Sequence, residues 1–289
     1  MIITQKEVKN LICKENGRSS DFTTPSFIFG CCFNCFYCYL KRHNPDTVQI
    51  ASNLDKMLSS IDWQSNSYSF PKKPNQCDSV YYVHDIGCNV DISLHWKHLD
   101  WIKVFDFYKN HNKLKATFAT KFVNKDMKNY NPNRKVRIRF SLTPEDIRHI
   151  LEPSTSDFKS KVDAINTFYD AGYEVHINWS PVIYREGWID HYIEMFNHVN
   201  NIVREDVKKQ CFAEVIFLTH NKGQHEKNLA NGFTVQENLL WQEELQESKK
   251  SIYGGDNIRY ERTLKERLIK EFKKHHEKII PWNKIRYIF

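Results

Sequence analysis

Phe29-Gly30-Cys31-Cys32-Phe33-Asn34-Cys35-Phe36-Tyr37-Cys38-Tyr39-Leu40 places three cysteines in a Cys-x3-Cys-x2-Cys array, with Tyr37 directly before the last one. Three thiolates on one short loop can hold three irons of a 4Fe–4S cluster, whose usual complement is four cysteines. The fourth iron is then open to an outside ligand, much as a catalytic zinc keeps one position open. Cys32, Cys35 and Cys38 also form a Cys-x2-Cys-x2-Cys run. A ferredoxin-like run would need a further cysteine three residues on, and position 42 is Arg. Zinc stays in view through His43, although no second Cys or His pair follows at a familiar spacing. A disulfide framework does not suit a chain of 289 residues with no secretory-type segment.

Working outward, Ser26–Phe29 reads as a strand and the cysteine loop follows its C-terminal end. Further strands are expected at Ser79–Val83, Lys115–Thr120, Lys135–Phe140, Val175–Trp179 and Ala213–Phe217. Helical stretches fall between them, at about His95–Tyr108, Lys161–Ala171 and Ile189–Val203. In the second of these, Val162, Ile165 and Phe168 share one face, and Gly172 supplies a stop. Strands alternating with helices imply a parallel sheet. Six βα units are too few for a closed eight-stranded barrel, so an α/β fold with an open partial (β/α)6 TIM-type barrel is expected over residues 1–217. Ligands in such folds collect at the C-terminal ends of the strands. Residues 218–289 read as an extension packed on the barrel. It begins polar at Thr219–Lys250, turns at Tyr253-Gly254-Gly255-Asp256-Asn257 as a hairpin would, and ends in a helix over Arg262–Lys278. Leu264, Leu268 and Phe272 lie along that helix at spacing four.

The 40% hydrophobic and 14% aromatic content suits a globular chain rather than a disordered one. The longest apolar-rich run, Ser26–Leu40, is too short to span a bilayer, so no membrane partner and a reducing cytoplasmic setting are expected. The net charge of +7 is unevenly placed: residues 249–289 hold twelve Lys/Arg against five Asp/Glu, and the remainder balances. Such a concentration suggests a polyanion, most simply nucleic acid; a solvated helix face is the plain alternative.

Several segments, in order, resemble the spore photoproduct lyase family of radical S-adenosylmethionine enzymes. Cys35-Phe36-Tyr37-Cys38-Tyr39-Leu40 is similar to that family's Cys-x-Tyr-Cys-Tyr-Leu. Asp85-Ile86-Gly87-Cys88-Asn89-Val90-Asp91 resembles its hydrogen-donor segment. Ala119-Thr120-Lys121-Phe122, Arg137-Ile138-Arg139-Phe140-Ser141 and Pro181-Val182-Ile183-Tyr184-Arg185-Glu186-Gly187-Trp188 resemble later segments, as do Tyr253-Gly254 and Lys284-Ile285-Arg286-Tyr287. The resemblance runs from about Pro25 onward.

The resemblance implies a 4Fe–4S cluster on Cys31, Cys35 and Cys38, with S-adenosylmethionine bound to it. It implies a 5′-deoxyadenosyl radical that takes hydrogen from C6 of a spore-photoproduct-type thymine dimer in DNA. Cys88 then matches the donor that quenches the thymine radical, and Tyr37 and Tyr39 match tyrosines of cofactor contact and radical transfer. Lys121 and Ser141 match S-adenosylmethionine contacts. An external one-electron reductant of flavodoxin or ferredoxin type and a monomeric state go with that reading. The departures lie at the two ends. Only 30 residues precede the cysteine loop, where family members usually carry more. In the hairpin, Tyr253 keeps the expected Tyr, whereas Ile252 stands where Arg is expected and Asn257 roughly where Lys is, leaving Arg259 as the candidate substrate contact. Two other readings remain at this point: a radical enzyme of the same fold with another nucleic-acid or small-molecule substrate, and a non-enzymatic metal-binding nucleic-acid module.

Overall fold

A computed structural model describes residues 2–40, 47–250 and 255–289; Arg42, His43, Ile252 and Tyr253 lie outside them. The N-terminal part contributes β1 (Ile2–Lys6), β2 (Lys14–Glu15), β3 (Phe22–Thr23), β4 (Ile28–Phe29), β5 (Thr47–Ala51) and helix α1 (Leu54–Ser65). Strands and helices then alternate: β6 (Tyr82–Asp85), α2 (Trp101–Asn110), β7 (Leu114–Thr120), β8 (Val136–Leu142), α3 (Glu145–Leu151), α4 (Phe158–Asp170), β9 (Glu174–Val182), α5 (Trp188–Ile202), α6 (Glu205–Lys208) and β10 (Ala213–Phe217). The extension holds β11 (Thr219–Asn221), α7 (Lys222–Ala230), α8 (Thr234–Leu240), β12 (Gln246–Lys250), β13 (Asp256–Tyr260), α9 (Arg262–Ile279) and β14 (Ile285–Ile288).

The main sheet has the order β14-β10-β9-β8-β7-β6-β3-β2, parallel throughout except for the β2–β3 hairpin. It is the open, partial barrel expected from the alternation. Two details differ from the sequence reading. Ser26–Phe29 does not enter this sheet; its strand portion, β4, pairs antiparallel with β5 in a small separate sheet with β1. Phe27 and Ile28 are both fully buried there, so the apolar run marks core rather than barrel strand, and the neighbouring place in the barrel goes to β3. The expected helix over His95–Tyr108 is broken: a short 3₁₀ turn covers Trp96–His98, Leu99 is extended, and Asp100 caps α2 by accepting from the Lys103 amide at 3.0 Å.

The alternation along β8 explains the layering. Val136, Ile138, Phe140 and Leu142 are fully buried, and Phe140 meets Phe168 of α4 edge-on at 5.5 Å. Arg137, Arg139 and Ser141 take the opposite face, inside the barrel. There Arg137 pairs with Glu174 at 2.7 Å and Asp78 at 3.0 Å. Arg139 pairs with Asp85 at 2.7 Å and Glu214 at 3.0 Å, and Arg286 joins Glu214 at 2.6 Å. Burial would weaken the charge on Arg139, but Glu214 and Asp85 outweigh it and hold the guanidinium firmly protonated. The barrel floor is thus a lattice of paired ions rather than an aliphatic plug, and it fixes the strands beneath the site.

The extension shares this sheet. β14 runs parallel beside β10, and α9 turns Leu264, Leu268, Phe272 and His276 inward, with Phe272 against Phe196 of α5 at 5.2 Å. β11, β13 and β12 form a separate antiparallel sheet; Asp256 and Asn257, expected in a turn, are paired strand residues of β13 opposite Lys250 and Lys249, and Tyr253 and Gly254 lie outside the described residues.

Candidate active site

The cysteine loop leaves β4 through Gly30, whose φ is +115°. A Cβ at that position would sit 2.6 Å from the Thr47 carbonyl oxygen, so only glycine allows this exit. The loop is held by Gly30 N–H donating to Asn89 O at 3.0 Å and Phe36 N–H donating to Leu151 O at 3.1 Å. A turn follows, closed by Cys38 N–H on Cys35 O at 3.0 Å. Burial pushes the Cys31 thiol up to about 12, and Asp91, Cys38 and Cys32 add to it; burial likewise raises Cys35, where Cys38 and Cys31 contribute. The three thiols of the Cys-x3-Cys-x2-Cys array thus share this one loop. Among the described residues, the trio of ligand atoms lying within 4.8 Å of one another is elsewhere, at His220, His225 and Glu237. Three thiolates with no second Cys or His pair suit a polynuclear cluster with one open iron better than a structural zinc, whose sites take four protein ligands. A metal would also supply the charge that buried thiols need in order to ionise.

Tyr37 and Lys121 meet at a residue that the sequence reading missed. Glu152, fully buried just beyond α3, accepts through Oε1 from Tyr37 at 2.5 Å, Lys121 Nζ at 3.0 Å and Thr143 Oγ1 at 2.9 Å. Burial alone would raise its carboxyl, but Lys121, Lys161 and the Tyr37 hydroxyl hold it below the usual range. Lys121 also donates to Ser180 O at 2.8 Å. The loop tyrosine and the strand-end lysine are thus fixed to one buried anion. Asp91 anchors the same strand end, accepting from the Lys121 amide and from Thr120 Oγ1, both at 2.8 Å. Ser141 is buried on the inner face of β8, beside Asn178 of β9.

Tyr39 and Cys88 form the second cluster. Tyr39 Oη lies 2.8 Å from Cys88 O and 2.7 Å from Asn89 Oδ1. Cys88 is at the exposed rim. Burial of the sulfur and the nearby Asp85 carboxylate push its thiol up to about 11, against a pull downward from Tyr39 and Arg139. At neutral pH Cys88 is therefore an S–H group, the form able to give a hydrogen atom.

Arg259 lies on β13 opposite Glu247 of β12, and the two side chains pair at 2.7 Å. Near it, Arg18, Lys249 and Lys265 surround the Phe289 ring, with cation-to-centroid distances of 5.1, 4.4 and 4.5 Å. Burial followed by Arg259 lowers both Lys249 and Lys265, which marks a crowded cationic surface. Cys32 sits 3.8 Å from His95 Nε2, on the side of the loop toward the His95–His98 pair.

The architecture and the cysteine loop together define a radical-S-adenosylmethionine class of enzyme. The family model described as spore photoproduct lyase matches residues 7–289, and the chain belongs to that family. The spore photoproduct lyase of Bacillus subtilis (strain 168) is 24% identical over 274 residues, covering 93% of this chain and 76% of that one. The enzyme of the same name from Geobacillus sp. (strain Y412MC61) is 25% identical over 186 residues, 63% of this chain and 51% of its own. Among solved structures, a cysteine-to-alanine variant of spore photoproduct lyase with dinucleoside spore photoproduct superposes with a TM-score of 0.85 at 21% identity, over 99% of this chain and 82% of that one. A double variant with bound AdoMet and the same dinucleoside gives 0.85 at 20%, with the same coverage. At that identity the structures establish the fold.

Proposed function

We propose that this chain is a lyase that repairs spore-photoproduct-type thymine dimers in DNA without light, with Cys88 as the hydrogen donor. The observation that carries the proposal is the hydrogen bond from Tyr39, one residue beyond the last cysteine of the loop, to the Cys88 carbonyl at 2.8 Å, which seats Cys88 beside that loop. Cys31, Cys35 and Cys38 would hold the cluster, which together with S-adenosylmethionine supplies a carbon radical strong enough to take hydrogen from C6 of the lesion. The chain's own groups do the rest. Losing that hydrogen lets the C5–C6 double bond of one thymine re-form as the methylene bridge breaks, leaving the unpaired electron on the methylene of the other. Cys88 gives its S–H hydrogen to that carbon, completing the methyl group. Tyr39 would then return a hydrogen atom from its hydroxyl to the sulfur, and the tyrosyl radical left behind would be reset by one electron from the external reductant and one proton from solvent. Glu152 keeps Tyr37 and Lys121 in place, so that Lys121 and Ser141 can meet the methionine zwitterion of the cofactor. Walls that exclude water and other donors make the outcome clean.

A thiol hydrogen exchanges with solvent, so repair in D2O should place one deuterium in the methyl group of a product thymine. Mass spectrometry of the released thymidine reads this directly; an undeuterated methyl group would remove Cys88 as donor.

Supporting the DNA reading is the cationic surface around Phe289, continuous with the charge excess of residues 249–289. Three to five phosphate contacts would give a log affinity falling with log salt at a slope of about −3 to −4 on duplex. Neutralising Lys249 and Lys265 should lessen the slope by about 2, while neutralising Lys273, Lys274 and Lys278 on the outer face of α9 tests the helix. An unchanged slope in both variants would return this surface to solvent. A linked dimer is already poorly stacked, so drawing it out of the duplex costs less than flipping an intact pair. Residues 218–289 would act as the substrate-facing part, Tyr253 and Arg259 touching the lesion, and an external flavodoxin- or ferredoxin-type protein would supply the electron to a monomer in the cytoplasm. Among the described residues no helix is long and apolar enough to cross a membrane.

One observation favours a neighbouring reading. The pairing of Arg259 with Glu247 occupies the cation that would stand in for the family's hairpin Arg or Lys. A related DNA lesion as substrate follows from that, and competition between synthetic thymine-dimer dinucleotides of different linkage separates the two.

A further inference from the structure

The extension holds a cluster that the repair reaction does not use. His220 lies on β11, His225 in α7 and Glu237 in α8, with one possible ligand atom from each inside 4.8 Å of the other two. Glu237 Oε2 is 3.1 Å from His220 Nε2 and 2.5 Å from His225 Nδ1, while Oε1 accepts from Asn228 Nδ2 at 2.5 Å. His220 is fully buried and Glu237 is 2% exposed. Among the described residues no Lys or Arg pairs with this carboxylate, whose partners are two imidazoles and an amide. A buried carboxylate is normally matched by a cation or a metal. Two further atoms, His220 Nδ1 and Gln224 Oε1, are buried without a hydrogen-bond partner, so the hydrogen bonds among these side chains do not account for the whole cluster. The His225 ring is stacked on Trp241 at 4.0 Å, which fixes its plane.

We propose that His220, His225 and Glu237 form a binding site for a structural divalent ion of the zinc type. Two imidazoles and a carboxylate at bond lengths of about 2.0–2.1 Å lie about 3.3 Å from one another around a tetrahedral ion, close to the 3.1 Å between His220 and Glu237, while the 2.5 Å hydrogen bond between His225 and Glu237 would open to admit the ion. The set has no thiolate, so it is chemically distinct from the cysteine loop. Its position gives the ion a task. Asn228, which bonds Glu237, also donates to the Phe36 carbonyl of the cysteine loop at 3.0 Å, and Phe36 packs edge-on against Phe233 at 4.8 Å. His220 stands opposite Ile258 of β13. The ion therefore ties the hairpin sheet of the extension to the loop of the active site.

The test is metal content, independent of turnover. Anaerobically reconstituted full-length protein is equilibrated with Zn²⁺, desalted, and assayed for zinc and iron together. One zinc per chain is expected beside the iron. His225→Ala, at a partly exposed position, and Glu237→Gln, which keeps the side chain's shape, should each lower zinc retention at least about tenfold and leave iron unchanged. Iron serves as the control for folding. Co²⁺ in place of zinc should give the d–d absorption of a nitrogen and oxygen site with no thiolate charge-transfer band. Failure of the wild type to retain zinc, wild-type retention in both variants, or a thiolate band would each overturn the proposal.

Discussion

Cys31→Ala, Cys35→Ala and Cys38→Ala will each strip the brown colour and most of the iron from anaerobically reconstituted protein, whereas Cys32→Ala will keep both. Cys31, Cys35 and Cys38 hold the three positions of the Cys-x3-Cys-x2-Cys spacing, while the Cys32 sulfur lies 3.8 Å from His95 Nε2. Losing one of three cysteine ligands leaves a cluster two irons short of protein support, and an expected loss of more than about 90% of bound iron follows from the usual need for four cysteines. Iron assay with the visible spectrum is the measurement. Retained iron in Cys31→Ala with loss in Cys32→Ala would move the ligand set to the Cys-x2-Cys-x2-Cys alternative.

Cys88→Ala should leave cofactor cleavage intact and abolish clean repair. The substitution removes a rim side chain and leaves the Glu152 cluster and the cysteine loop untouched. The lesion should still open, because hydrogen loss from C6 precedes the donor's step. With no S–H group beside it, the thymine radical is quenched by whatever reductant is present, and dithionite adducts should replace most of the thymine. Because burial and Asp85 push the thiol up to about 11, the wild-type donor stays protonated throughout the neutral and mildly alkaline range. It is lost only as pH rises toward that value, so product purity should be flat below about pH 10. Normal thymine yield from Cys88→Ala would take this residue out of the mechanism.

Much of this was legible in the chain because the informative groups are local. The cysteine spacing lies within one loop, and β7 to β10 announce themselves through β-branched and alternating runs that need only the period-two rule. What escaped was convergence. Glu152 is an unremarkable acid at a helix end until the fold brings Tyr37, Lys121 and Thr143 to the same oxygen. The stretch Thr219–Lys250 reads as polar because most of its buried groups are polar, His220, Asn221, Gln224, Asn228 and Glu237 beside Leu240, and these pack through hydrogen bonds rather than through an apolar stripe. The alternating basic and apolar residues of β8 mark a strand, but nothing local says that the basic side points into the barrel, where Asp85, Glu174 and Glu214 meet it. Ser26–Phe29 misled for the opposite reason: its apolar character is that of core, and hydrogen-bonding partners rather than hydropathy decide which sheet a two-residue strand joins. Arg259 is named by position alone, and its cross-strand partner, Glu247, is twelve residues away and set by hairpin register.

The central claim is that this chain cleaves a methylene-linked thymine dimer by cofactor-dependent hydrogen abstraction. The most direct measurement is product analysis of a synthetic spore photoproduct dinucleotide incubated anaerobically with reconstituted protein, S-adenosylmethionine and dithionite. The account predicts stoichiometric conversion to two adjacent thymines, dependent on S-adenosylmethionine and absent from Cys35→Ala. Cleavage of S-adenosylmethionine with the dinucleotide recovered intact would contradict it.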